Sequence, residues 1–202
     1  MNALKASPLE RGISWASTIF ILGAMTFVSM LGLVIAPAAF AAQESAFIRF
    51  FETGDVPRVR DYLRDLKKFF LLSWKIALGF LAANLGVLVS IPFWVASPKM
   101  ISITALTFIL PIAVLILLVQ LVYPLELALH RDATEKITVL KVFSRLAAHP
   151  IKSIALLFIT VIWASINYAI PTIIPVLGFS IMGLIILLMM GELTPNRSKN
   201  AH

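Results

Sequence analysis

The residues of this chain that could carry chemistry are the polar side chains inside its long apolar stretches. Gln120 and Glu126 lie toward the end of one stretch, and the others are Lys75, Asn84 and Lys152. Ionisable and polar groups inside membrane helices are costly, so each is a candidate functional residue. The sequence therefore directs attention to ion pairing and ion coupling.

Glu126 has two interpretations. It lies about one turn before a basic loop, where it could pair with Lys75, Lys152 or Arg131 and stabilise the packing of the helices. Structural ion pairs are common, which favours this first interpretation. The alternative is a proton-coupling carboxylate, with Gln120 nearby. Lys75 and Lys152 can also extend their ammonium groups to the lipid headgroups.

Motifs for catalysis, metal binding and nucleotide binding are missing from the sequence. The three histidines, His130, His149 and His202, have no partner at metal-ligand spacing, and there is no cysteine. No G-x-S-x-G, P-loop or G-x-G-x-x-G occurs. We therefore expect no metal, no cofactor and no enzymatic activity.

The composition is typical of an integral membrane protein. Hydrophobic residues make up 60% and charged residues 13% of the chain, and the mean hydropathy is +0.96. Soluble domains carry about 25% charged residues. We interpret residues 1–202 as one membrane domain. The net charge of +7 fits orientation and contact with anionic lipid, and we expect no nucleic-acid binding.

The apolar stretches predict five membrane-spanning helices. A helix needs roughly 20 apolar residues to cross a hydrocarbon core of about 30 Å. The stretches are Ile13–Ala42, Phe69–Val95, Ile101–Leu129 and Ile151–Met190. Pro171 and Pro175 divide the last of these into two spans, and the segment Ala38–Phe51 is predicted to leave the membrane as a helix rich in small residues.

Two basic amphipathic helices, Pro57–Phe70 and Val139–Ala148, complete the predicted fold. Each has an apolar face and a basic face and is expected to lie flat in the headgroup layer. The predicted fold is thus an all-α polytopic membrane helix bundle, with five transmembrane helices and these two helices on the cytoplasmic side. The residues predicted to contact lipid or a partner are Arg58, Arg60, Arg64, Lys67, Lys68, Lys141 and Arg145.

Charge counts predict the orientation. With five spans, one side carries fourteen Lys and Arg residues and the other carries three. The positive-inside rule places the larger number in the cytoplasm. This predicts a multi-pass protein of the inner (cytoplasmic) membrane, with its N-terminus outside and its C-terminus inside. In the alternative topology the first segment is re-entrant, four helices span, and both ends lie inside.

Small residues in the second span predict close helix packing. Gly79, Ala83 and Gly86 recur at spacings that bring them to one side of a helix. Such residues allow the backbones of two membrane helices to approach closely. We expect this surface to pack against the first span.

A set of short elements resembles the bacterial YesL family of small integral membrane proteins. They are Gly32-Leu33, Pro37-Ala38, Arg49-Phe50-Phe51, Gly54, Tyr62, Lys68-Phe69 and Ser73, and they cover about residues 20–80. Ala39 stands where that family often has Thr, and Tyr62 where it usually has Phe or Trp. The family has no established activity, and its members often look like neighbours of carbohydrate uptake systems. The resemblance implies an accessory to sugar transport and supplies no catalytic residues.

Two functions follow as hypotheses. The first is a non-enzymatic membrane component that acts through contacts with anionic lipids, with another membrane protein subunit or with a second copy of itself. The second is a small transporter or channel with Glu126 as its coupling group. A transporter should have a polar cavity at mid-membrane containing Glu126, Gln120 or Asn84. An accessory should have a dry, tightly packed core and an exposed apolar groove for a partner.

Overall fold

The computed structural model describes residues 8–30, 33–130, 139–170 and 177–191, and these are helical apart from short connections, with no strand among them. The helices are α1 (Pro8–Met30), α2 (Ala36–Thr53), α3 (Val59–Val95), α4 (Lys99–Leu129), α5 (Val139–Ala148), α6 (Pro150–Ala169) and α7 (Phe179–Met190). A short 3₁₀ turn, Leu33–Ile35, precedes α2. The all-α prediction is confirmed.

Four of the described helices, α1, α3, α4 and α6, are long and apolar enough to cross a membrane. The predicted fifth span corresponds to α7, which has 12 residues. At 1.5 Å per residue it is about 18 Å long, well short of the roughly 30 Å hydrocarbon core. Pro171 and Pro175 lie outside the described residues. The structure is compatible with a multi-pass membrane protein of four long helices and one shorter apolar helix.

The predicted surface helix Pro57–Phe70 is not a separate element. Its residues from Val59 onward form the first part of α3, which continues for 37 residues. No Gly or Pro lies between its basic part and the apolar part that follows, so nothing ends the helix there. Tyr62 and Phe69 are buried, whereas Leu63 is exposed. The second amphipathic helix, α5, is a separate helix with the predicted bounds, and α6 begins directly after it with Pro150.

Helix α2, which corresponds to the predicted helix Ala38–Phe51, lies at the centre of the bundle. It packs against α1, α3, α4 and α7. Its alanines at 38, 39, 41, 42 and 46 are all 0% exposed. Small side chains permit this close approach from several sides. An alanine-rich helix has a weak hydrophobic signal, which explains why the sequence did not place it in the core.

Helices α1 and α2 are antiparallel. At one end the ring centroids of Trp15 and Phe50 lie 4.9 Å apart. At the other end Tyr62 Oη lies 3.3 Å from Thr26 Oγ1 and donates to Ala39 O at 3.4 Å. The chain therefore turns back between α1 and α2. The first part of α3, which carries Tyr62, lies beside this turn.

Glycine determines two local features of the bundle. Gly54 ends α2 with a φ of 73°, in the left-handed region that favours glycine, and its N–H donates to Phe50 O at 2.8 Å. Gly183 of α7 lies so close to α2 that an added Cβ would collide with Gln43 Nε2. By contrast, an added Cβ at Gly79 or Gly86 would meet nothing within 4 Å. The close packing predicted at those two glycines is therefore wrong, and it occurs at the α2–α7 contact instead.

Candidate functional site

Glu126 is held by two groups at the end of α4. Its Oε1 accepts a hydrogen bond from Arg145 Nε of α5, and its Oε2 lies 3.5 Å from His130 Nδ1. Glu126 is 3% exposed, so this carboxylate is almost entirely removed from water. Arg145 also donates through Nη1 to Met190 O at 2.8 Å. The cluster thus ties α4, α5 and α7 together.

The partners of Glu126 differ from those that the sequence suggested. Neither Lys75 nor Lys152 is its partner, and Arg131 lies outside the described residues. The ammonium group of Lys75 instead lies 5.5 Å from the ring centroid of Trp74. Lys152 is exposed on α6. The amphipathic periodicity of α5 could have suggested Arg145 as the partner, because that helix must pack somewhere near the end of α4.

A shallow pocket of about 290 Å³ lies beside this cluster. Its lining combines Glu126 with residues of α5 and the start of α6: Lys141, Ser144, Arg145, Ala148 and His149. The pocket is open to the surface and lies at the end of the bundle rather than in its middle. It is therefore not the mid-membrane polar cavity that a transport path through Glu126 would require.

Gln120 pairs with Asn84 across the α3–α4 contact. Asn84 Nδ2 donates to Gln120 Oε1 at 3.2 Å, and Gln120 Nε2 donates back to Asn84 Oδ1 at 2.9 Å. One turn away, Phe80 and Tyr123 make an edge-to-face contact with centroids 5.5 Å apart. Asn84 is exposed on the outside of the bundle. These amides join α3 and α4.

The basic residues predicted to contact lipid fall into two groups. Arg58 lies directly before α3, and Arg60, Lys67 and Lys68 lie on its first part, and all four are exposed. Arg64 is also exposed, and its Nη2 lies 3.1 Å from Asp61 Oδ1. Arg145 is turned inward to Glu126, and Lys141 lines the pocket beside it. The exposed basic face is therefore concentrated on α3.

Glu44 of α2 is a buried carboxyl group that the sequence interpretation missed. It is 0% exposed, and neither of its carboxyl oxygens has a hydrogen-bond partner among the described residues. Burial raises the pKa of Glu44 well above its ordinary value, since the protein interior disfavours the charged form. Helix α2 is not one of the four candidate spans. Burial therefore favours the uncharged acid over the carboxylate at this position.

The neighbour of Glu44 in sequence, Gln43, connects α2 to α7. Gln43 Nε2 donates to Phe179 O at 2.9 Å. The ring of Phe179 also meets Phe40 of α2, with centroids 5.7 Å apart. A Cβ at Gly183 would lie 4.0 Å from Glu44 Cγ. Glu44 therefore lies beside the closest approach of α7 to α2.

Several buried side-chain oxygens of α1, α2 and α7 lack hydrogen-bond partners among the described residues. They are Thr18 Oγ1, Gln43 Oε1, both carboxyl oxygens of Glu44, and Ser180 Oγ. Buried polar atoms in proteins are normally paired, and unpaired ones are uncommon. The antiparallel register of α1 and α2 places Thr18 at about the level of Phe47, close to Glu44 along the bundle. This part of the core is polar and incompletely satisfied.

One residue further along α2, the polar network is satisfied. Ser45 Oγ donates to Asp65 Oδ2 of α3 at 2.9 Å. Arg49 Nη2 lies 2.8 Å from the same oxygen, an ion pair by distance although it lacks hydrogen-bond geometry. Arg64 Nε adds a longer contact of 3.9 Å to Asp65 Oδ1. Asp65 is thus compensated by positive charge, unlike Glu44.

No family model, curated protein or solved structure matched this chain. Within the described residues, no group of three or more His, Cys, Asp or Glu side chains could hold a metal ion. The candidate site is therefore defined by its own geometry. Its two centres are the unpaired Glu44 in the core and the paired Glu126 at the end of the bundle.

Proposed function

We propose that this chain is a non-enzymatic integral membrane protein that acts through contacts, as an accessory component of a membrane transport system. The resemblance to the YesL family supports a bacterial protein and makes sugar uptake the class of transport to test first. The contacts would be made with anionic lipids and with another membrane protein subunit or a second copy of this chain.

The observation that carries this proposal is the pairing of the polar groups that a transport path would use. Glu126 is bound by Arg145 and His130, and Asn84 and Gln120 bind each other. In the most apolar segments of α3, α4 and α6, only 6%, 11% and 11% of the residues are buried within the bundle. This leaves long helical surfaces available for lipid or a partner, which favours the accessory hypothesis.

The exposed basic face of α3 supports an inner-membrane location. Lys and Arg residues near an anionic leaflet contribute about 1 kcal/mol each to membrane attraction. Arg58, Arg60, Lys67 and Lys68 are available for this role, whereas Arg145 is engaged by Glu126. We propose that this face and the C-terminus lie in the cytoplasm and the N-terminus outside. Both ends inside is the alternative.

A small transporter is the second candidate, and Glu44 is the observation that favours it. A buried acid without a partner among the described residues is the type of group that could couple proton movement to transport. In this version Glu44 replaces Glu126 as the coupling residue. A transport path would have to open beside α2, where the bundle is closely packed.

Purification from the native membrane in mild detergent tests the two candidates. A transporter subunit recovered in a fixed ratio to the chain, and lost when Arg58, Arg60, Lys67 and Lys68 are changed to Gln, supports the accessory function. A matched control changes Lys99 to Gln. Recovery of the chain alone, together with ion flux after reconstitution into liposomes, would overturn the accessory function and support the transporter.

Orientation is tested separately by cysteine labelling, because the chain has no natural cysteine. Lys68→Cys and Lys99→Cys place single thiols at the basic face and at the short α3–α4 connection. A membrane-impermeant maleimide added to intact cells is expected to label the second and not the first. The reverse pattern would contradict the proposed orientation.

A further inference from the structure

The proposed contact function does not use Glu44, and the surroundings of this residue point to a role of its own. A charged carboxylate buried without partners costs several kcal/mol, so such a group takes up a proton instead. Asp65 and Glu126 are also buried, but each has an arginine within ion-pair distance. Glu44 is set apart by the absence of such a cation among the described residues.

The titratable groups on the helices packed against α2 are engaged elsewhere or exposed. On α3, the hydroxyl of Tyr62 is hydrogen-bonded to Thr26, and Asp65 is paired with Arg49. The other ionisable side chains in the first half of α3 are largely exposed. On α4, Tyr123 meets the ring of Phe80, and Glu126 is paired. Other described groups are exposed, namely Glu10 of α1, Glu52 at the end of α2 and Lys99 at the start of α4, and α7 has no ionisable residue. Among the described residues no cation is left to neutralise Glu44, which leaves the proton for that role.

We propose that Glu44 is a proton-binding site whose occupancy controls the packing of α7 against α2. With the proton bound, the acid is neutral and the contact at Gly183 stays closed. Loss of the proton to water leaves a negative charge in the core. That charge must be hydrated, and water reaches it when α7 moves away from α2. The site is independent of whether the protein is an accessory or a transporter.

The raised pKa of Glu44 agrees with this geometry, because the folded protein binds the proton more tightly than a solvated glutamate does. The contact with α7 is also suited to a two-state change. Gly183 packs against α2 without a side chain. Among the described residues, one side-chain hydrogen bond crosses the contact, from Gln43 to Phe179 O. Once Glu44 is negatively charged, few polar contacts would therefore hold α7 against α2.

Infrared spectroscopy of the purified protein tests whether Glu44 holds the proton. A protonated carboxylic acid has a carbonyl stretching band that an ionised carboxylate lacks. At neutral pH the band is expected in the unaltered protein, lost in Glu44→Gln and retained in Glu52→Gln, a matched control on the same helix. A titration toward alkaline pH should remove it, at a higher pH than a solvated glutamate would require. A band that Glu44→Gln leaves unchanged, or that persists throughout the titration, overturns the proposal.

A distance measurement tests the coupling to helix packing. Thr53→Cys on α2 and Leu188→Cys on α7 provide two exposed positions for spin labels. The distance between the labels is expected to increase over the pH range in which the carbonyl band disappears. The same pair in the Glu44→Gln background should keep the short distance at every pH. An unchanged distance while the band disappears, or an equal increase in Glu44→Gln, overturns the coupling.

A third experiment tests whether Glu44 binds sodium instead of a proton, because unpaired oxygens can also attract a small cation. The infrared titration is repeated with sodium chloride replaced by choline chloride. The proton site predicts the same curve in both salts. If sodium removes the carbonyl band at constant pH, the site is a sodium site and the proton proposal is overturned.

Discussion

Glu44 and Glu126 are both buried carboxyl groups, but they differ in whether the bundle supplies them with positively charged partners. Glu126 is surrounded by a cluster that supplies Arg145 and His130 at the end of the bundle. Glu44 lies in an alanine-rich central helix and has no partner among the described residues. The first arrangement ties three helices together. The second is stable only while the acid keeps its proton, so the comparison separates a structural carboxylate from a responsive one.

The largest expected effect is on the Glu126 cluster. Arg145→Met keeps the aliphatic stem and removes the charge. Among the described residues, the buried carboxylate then keeps the partly exposed His130 as its one remaining partner. Breaking a buried ion pair on one side costs about 3–5 kcal/mol. We therefore expect the free energy of unfolding in mild detergent to fall by about this amount.

Two variants sharpen this result. Lys141→Met makes the same charge change on the same helix and should cost much less. Adding Glu126→Gln to Arg145→Met should restore most of the lost stability, because the uncompensated charge is then gone. Equal stability of Arg145→Met and Lys141→Met would show that the ion pair contributes nothing.

The second effect concerns the pH dependence of Glu44. Because the folded-state pKa of Glu44 is raised, its contribution to stability is complete below the unfolded pKa of the acid and is lost as pH rises toward the folded pKa. Each pH unit in that window costs about 1.4 kcal/mol. Unfolding measured over a pH series should show this slope in the difference between the unaltered protein and Glu44→Gln. A difference that does not vary with pH would contradict a neutral Glu44.

The third effect compares two glycines. Gly183→Ala introduces a Cβ that collides with Gln43, and overpacking of this kind costs about 1–3 kcal/mol. Gly79→Ala meets open space and should be neutral or slightly stabilising, since alanine favours the helix by up to about 1 kcal/mol. Thermal unfolding of both variants measures the contrast. If both behave alike, α7 does not approach α2 as closely as described.

The smallest effect is expected at the Asn84–Gln120 pair. Hydrogen bonds between membrane helices contribute about 0.6 kcal/mol on average. A double-mutant cycle with Asn84→Leu and Gln120→Leu should give a coupling free energy near this value. A coupling several times larger would mean that this pair, and not the α2 core, organises the α3–α4 contact.

The sequence predicted the long apolar helices and the amphipathic α5 well, because their hydrophobic patterns are strong and prolines mark helix boundaries. Pro98 precedes α4, and Pro150 begins α6 directly after α5. The continuity of α3 was not predicted, because a change from basic to apolar composition was interpreted as an element boundary. Composition can change along one helix when no residue breaks it.

The sequence identified one of the two carboxyl groups of the candidate site. Glu126 stands out because it lies in a strongly apolar stretch, but its partner Arg145 depends on where α5 packs. Glu44 was missed because the flanking Ala41-Ala42 and Ala46 resemble an ordinary surface helix as much as a tightly packed core helix. The sequence Gln43-Glu44-Ser45 becomes informative only when tertiary packing shows that three polar residues in succession are buried.

The central position of α2 is tested most directly by thiol accessibility, using two nearly isosteric changes. Ser45→Cys lies on the buried surface of α2, and Ser144→Cys lies on the exposed side of α5. In native membranes opened to both sides, a water-soluble maleimide should label Ser144→Cys rapidly and Ser45→Cys only after denaturation. Equal, rapid labelling of both would place α2 at a water-exposed surface and contradict the account.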